Sequence, residues 1–168
     1  MTPDLILVAE DDSDIRDLLT VALESAGFRA VTAKDGHTAA RILTVARPAG
    51  LITDVRIPAV SGLELCRLAR LEPDGRDTAI VMISANTRAH DADAGFSAGA
   101  DRYLPKPLSP RRLVAELRDL LAERALNRTA PAGRFPTSAC PTHAFPTSPC
   151  PTRAFPTSAG PTSAFSRR

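Results

Sequence analysis

The sequence predicts an α/β fold: a doubly wound sheet of five parallel strands with helices on both faces. Three observations predict it. Five apolar runs of strand length alternate with five stretches whose apolar residues recur at helical spacing. The run Leu51-Ile52-Thr53-Asp54 ends in a carboxylate, and Pro58 bars a simple continuation, which suits a buried central strand delivering Asp54 to its C-terminal edge. Polar groups also close the other runs: Glu10-Asp11-Asp12 after the first, Ser84 after the fourth, Lys106 after the fifth. In open α/β sheets that edge is where ligands collect, and a charge there must meet water, a partner or a metal.

The elements follow in order. Leu5–Ala9 is the first strand. A helix is expected from near Ser13, with Ile15, Leu18, Leu19, Ala22 and Leu23 at helical spacing and Gly27 placed to end it. Phe28–Ala33 is the second strand. Asp35 is suited to cap a shorter helix whose Ala39, Ala40, Ile42 and Leu43 face inward and which stops before Pro48. Gly50–Asp54 is the third strand. Ser61-Gly62 opens a helix to about Leu71, with Leu63, Leu65, Cys66 and Leu68 supplying apolar contacts, and Pro73-Asp74-Gly75 is a turn.

Ala79–Ile83 is the fourth strand, ending at Ser84. Thr87 to Ala98 reads as a weaker, Ala-rich helix closed by Gly99. Arg102-Tyr103-Leu104 is a short fifth strand running into Pro105-Lys106-Pro107. Ser109 caps a last helix with Pro110 at its first position and Leu113, Leu117, Leu120 and Leu121 as its buried stripe. Right-handed crossovers leave few arrangements for such a chain. One is the flavodoxin-like order 2-1-3-4-5, in which the acids after strand one and Asp54 after strand three flank the same crevice.

Composition divides the chain. Residues 1–126 carry 16 basic residues against 19 acidic ones, a formal −3, and can bury a core without staples. Such a mildly acidic body argues against direct nucleic-acid binding. Residues 127–168 carry five arginines and no acid. Within them Phe135–Ala144, Phe145–Ala154 and Phe155–Ala164 are three copies of a decamer, FPTSACPTHA, FPTSPCPTRA and FPTSAGPTSA. A proline every five residues forbids a continuous helix or central strand, so a disordered tail is expected. Cys140, Cys150 and His143 in that tail make a poor zinc site. Three cysteines, two of them in a repeat, are no disulfide framework, so a cytoplasmic home is expected. Leu5–Ala9 is too short for a signal or membrane span.

Glu10, Asp11 and Asp54 are expected to converge as oxygen ligands, with Asp12 close by. Hard oxygens with room for water suit Mg²⁺. Clustered carboxylates repel, whereas Mg²⁺ and Lys106 together balance three of them. Taken singly, each piece has a plainer reading: an acidic run caps a helix, a lysine is exposed, a serine ends a strand. Their meeting at the ends of strands one, three, four and five is what argues for a site.

These residues resemble the receiver domain of two-component response regulators. The matching stretches are Glu10-Asp11 after the first strand, Thr53-Asp54-Val55-Arg56-Ile57-Pro58 around the third, Ser84-Ala85 after the fourth and Tyr103-Leu104-Pro105-Lys106-Pro107 around the fifth. The resemblance covers residues 4 to about 125. The resemblance implies a CheY-like fold and a phospho-accepting signalling domain rather than a conventional enzyme. In it, Asp54 takes a phosphoryl group from the phosphohistidine of a sensor histidine kinase or phosphotransfer protein. Glu10, Asp11, Asp54 and the backbone carbonyl of Arg56 would hold Mg²⁺. Lys106, next to a cis bond to Pro107, and Ser84 would bind phosphoryl oxygens. Tyr103 would change rotamer with Ser84 and reshape the face of the fourth helix, fifth strand and fifth helix toward an unknown downstream protein.

Ala59 and Ser61 depart from the family's usual Gly and Asp, which bears on loop geometry. Arg56 and Asn86 flank the route of attacking water and are expected to tune phosphoryl lifetime. The 42 tail residues cannot form an output domain, so a stand-alone receiver is expected. The competing reading is a constitutive adaptor with a vestigial pocket, acting through its surface and tail. An aspartyl-phosphate phosphatase would need a second acid two residues after its nucleophile, where this chain has Arg56.

Overall fold

In the computed structural model, residues 3–72, 77–85 and 89–129 are described. The expected turn at Pro73-Asp74-Gly75, Asn86 and Thr87, and the repeat tail with its cysteines lie outside them. Among the described residues the chain alternates strand and helix: β1 (Leu5–Ala9), α1 (Ser13–Ser25), β2 (Arg29–Ala33), α2 (Gly36–Ala46), β3 (Gly50–Asp54), α3 (Gly62–Leu71), β4 (Ala79–Ser84), α4 (Ala89–Ala98), β5 (Arg102–Pro105) and α5 (Pro110–Thr129). The strands form one parallel sheet in the order β2-β1-β3-β4-β5. This is the flavodoxin-like, CheY-like arrangement expected from the sequence, and no described helix is long and apolar enough to cross a membrane.

Alternation along the strands explains the two covered faces. Leu7, Leu51, Ile80 and Met82 point to one face, where Ala39, Leu43, Leu65, Cys66 and Ala69 of α2 and α3 cover them. Ile6, Val8, Ile52, Val81 and Ile83 point to the other and meet Leu19 and Leu23 of α1 and Leu113, Leu117 and Leu120 of α5. Central strands buried on both faces read as unbroken apolar runs, as β3 and β4 do. Two of the expected contacts fail. Leu18 is 53% exposed and Leu68 is 42% exposed. On α3 the inward position falls to Ala69, one residue on from Leu68, because the helix face that meets the sheet is carried by Leu65, Cys66 and Ala69.

Helix termini follow local chemistry. The Asp35 side chain accepts from Thr38 N, and Ser61 with Glu64 forms a reciprocal capping box. Gly27 follows the end of α1 at φ +89°, the left-handed geometry expected of it. The Lys106-Pro107 peptide is cis, as the resemblance implies.

Candidate functional site

The register of the sheet brings the expected residues to one rim. Ala9 pairs with Thr53 and Asp54 with Ile83, so Glu10 and Asp54 emerge side by side, with Ser84 one step beyond Ile83. Ser84 in turn pairs with Pro105, and its carbonyl accepts from Lys106 N at 2.7 Å. Chain crossovers therefore converge on a single crevice between β1 and β3, the switch point of this topology.

Within the crevice, carboxylate oxygens of Glu10, Asp11 and Asp54 lie within 4.8 Å of one another. The Lys106 ammonium donates to both Glu10 oxygens, at 3.1 and 2.9 Å, and to Asp54 Oδ2 at 2.5 Å. Arg56 N donates to Asp54 Oδ1 at 2.8 Å, leaving that carboxylate fixed between a backbone amide and an ammonium. Glu10 is only 1% exposed, and burial pushes its pKa above the usual carboxylate value despite the opposing pull of Lys106. Burial works to lower the Lys106 pKa, but hydrogen bonds to Asp54 and Glu10 outweigh it and raise the value. Two of the three acids therefore share one ammonium, and an all-oxygen donor set short of positive charge fits a hard divalent cation.

Asp12, expected close by, has another task. Its Oδ1 accepts from Asp14 N and Ile15 N and caps α1. The acids 10, 11 and 12 thus point into the sheet rim, into the crevice mouth and back onto the helix. Tyr103 is half-buried on β5, its ring centroid 6.5 Å from that of Phe96 on α4. Thr53 is buried and satisfies its own hydroxyl by donating to the Asp54 carbonyl at 2.9 Å.

The loop from β3 to α3 packs against the end of β3 with no spare volume. A side chain at Gly62 would run into the Asp54 carbonyl oxygen, and one at Gly36 into that of Val60. Ala59 adopts φ +73°, the left-handed region, so the departure from glycine noted in the sequence places a Cβ in a strained backbone. One residue escaped sequence reasoning. Arg16 Nη1 donates to the carbonyls of Glu10 and Asp11 at 2.8 and 3.2 Å. Its signal was a cation near the start of a helix opened by acids, where the helix dipole disfavours it.

Comparison with known proteins agrees with this geometry. Residues 6–118 match the family model for the response regulator receiver domain. The response regulator MprA of Mycolicibacterium vanbaalenii is 37% identical over 129 residues, which cover 77% of this chain and 53% of that protein. The chain thus spans about half the length of the curated relatives it matches. Among solved structures, the chemotaxis response regulator CheY4 of Vibrio cholerae superposes with a TM-score of 0.67 at 30% identity, covering 71% of this chain and all of that one. The receiver domain of the sensor histidine kinase PA1611 from Pseudomonas aeruginosa, with magnesium in its active-site cleft, gives a TM-score of 0.66 at 28% identity, covering 71% of this chain and 98% of that one.

Proposed function

The chain belongs to the response regulator receiver family, and from that premise we propose that it is a phosphorylation switch whose acceptor is Asp54. The donor is the phosphohistidine of a sensor histidine kinase or of a phosphotransfer protein. An Asp54 oxygen attacks the phosphorus, the P–N bond to the histidine breaks, and an acyl phosphate forms on Asp54. The observation that carries this reading is the Lys106 ammonium bridging Glu10 and Asp54 at the rim, with Asp11 beside them. Catalysis here is positioning and charge neutralisation, which phosphoryl transfer chiefly requires.

Glu10, Asp11, Asp54 and the Arg56 carbonyl would hold Mg²⁺, which when bound would supply two positive charges to offset those of the transferring group. Lys106 passes from Asp54 to a phosphoryl oxygen, and the Ser84 hydroxyl donates to another. Tyr103 follows Ser84 and alters the surface of α4, β5 and α5, which is where the downstream protein is read out. The acyl phosphate is made and lost by the domain's own chemistry. The protein works in the cytoplasm. A vestigial adaptor has no use for the intact set of Asp54, Lys106 and Ser84.

Incubation with Mg²⁺ and either acetyl phosphate or a phosphorylated kinase is expected to add one phosphoryl mass to the full chain, and Asp54→Asn to abolish it. A gain of the same size in Asp54→Asn contradicts the assignment.

A further inference from the structure

The turn that presents Glu10 and Asp11 is three residues long, set between the end of β1 at Ala9 and the start of α1 at Ser13. So short a turn leaves the carbonyls of Glu10 and Asp11 outside any strand or helix ladder, and their orientation decides where the carboxylates point. One side chain gathers both: Arg16 Nη1 donates to the carbonyls of Glu10 and Asp11 at 2.8 and 3.2 Å. The Asp12 carbonyl belongs to the helix, accepting its first backbone bond from Arg16 N at 3.0 Å. The amide of Glu10 is held from the other side by the Ala33 carbonyl at the end of β2, at 3.1 Å. Both backbone polar groups of Glu10 are therefore fixed, by β2 and by α1.

The placement of this cation is otherwise unexplained. A positive side chain in the first turns of a helix opposes the dipole, and α1 begins with acidic residues that suit it. A guanidinium also repels any metal ion bound nearby. What it offers instead is one nitrogen, Nη1, that reaches both carbonyls from a rigid, planar head, which an ammonium on a shorter, flexible stem does less well. We infer that Arg16 is a positioning residue for the cation site, locking the 10–12 turn so that the Glu10 and Asp11 carboxylates are set before Mg²⁺ arrives. The inference rests on reading the acidic cluster as a Mg²⁺ site. Residues that orient metal ligands from behind typically matter to affinity by roughly 10–100-fold.

The test is a calorimetric titration of MgCl₂ into the full chain stripped with EDTA, for wild type, Arg16→Met and Arg16→Lys. Positioning predicts that Arg16→Met binds Mg²⁺ roughly 10–100-fold more weakly, with Arg16→Lys in between because its shorter, flexible stem holds the carbonyls less rigidly. A role through charge alone predicts the opposite sign, since removing a positive charge beside the site tightens cation binding. Unchanged or tighter binding by Arg16→Met overturns the inference. Should circular dichroism show Arg16→Met unfolded, Arg16→Lys decides: weaker binding supports the inference and wild-type binding overturns it. Absence of Mg²⁺ binding by the wild type removes the cation site itself and the inference with it. A wild type that binds, beside a folded Arg16→Met that binds equally, removes only the role of Arg16.

Discussion

The two ends of the sheet both gather charged side chains, and they do so in opposite ways. At the N-terminal end of β4 and β5, Asp101 is saturated. Its Oδ2 accepts from Arg70 Nη2 at 2.8 Å and from Ile80 N at 2.7 Å, and its Oδ1 meets Arg124 Nη2 at 2.6 Å. Arg70 goes on to donate to the carbonyls of Gly99 and Thr78, tying α3 to the loops before β4 and β5. At the C-terminal end, Glu10 and Asp54 share Lys106, and Asp11 joins them in the cluster. One end is closed by its own partners and serves stability. The other is left short of positive charge, and that shortage is what the proposed function draws on for a cation and a phosphoryl group.

The contrast can be broken most severely at the functional rim, where packing is tight although charge is unbalanced. Gly62→Ala drives a Cβ into the Asp54 carbonyl and is expected to destabilise by roughly 3 kcal/mol, read from the urea midpoint. Next in size is the closed end. Asp101→Asn removes a charge from between two arginines that are themselves only partly exposed. It is expected to cost roughly 2 kcal/mol, between the values of exposed and buried pairs. Phosphoryl acceptance by the folded fraction should be unaffected. If Asp101→Asn abolishes Mg²⁺ binding while the protein stays folded, the two ends are not separate in function.

Smaller effects sharpen the same picture. Ala59→Gly relieves a left-handed backbone in the loop after β3, and should raise stability by about 0.5–1 kcal/mol after allowing for the freer unfolded chain. The smallest is a pH effect confined to the open end. The pKa of Glu10 is raised in the fold, so its contribution to stability is fully present below the unfolded value of 4.5 and is lost as pH rises through the folded value. The metal-free protein should therefore lose part of its urea resistance as pH rises above about 4.5. Glu10→Gln should flatten that slope, and saturating Mg²⁺ should offset it.

How much of this was legible in the sequence depended on how local the cause was. Strands β3 and β4 were readable because residues buried on both faces must be apolar throughout, and Asp54 was conspicuous as the carboxylate ending such a run. Asp35, Ser61 and Gly27 announced helix ends through chemistry that acts within three residues. Lys106 and Glu10 could be joined only through the topology and the family resemblance, since nothing local links residues 96 positions apart. The Asp101 cluster went unread for the same reason: Arg70 and Asp101 are 31 positions apart and carry no spacing that marks them as a pair. Leu18 and Leu68 misled because helical spacing identifies an apolar stripe but not its edge, and both lie on the outer margin of theirs. The capping reading of the acidic run holds for Asp12 alone, since of three acids in a row the helix start claims one.

The most direct test is to locate the phosphoryl group. After reaction with acetyl phosphate and Mg²⁺, borohydride reduces an aspartyl phosphate to homoserine, which mass spectrometry of peptides can assign to a residue. The account predicts homoserine at position 54, dependent on Mg²⁺ and absent when EDTA replaces it. Modification at Asp11 or elsewhere with Asp54 untouched, or none at any residue in protein shown to bind Mg²⁺, would contradict it.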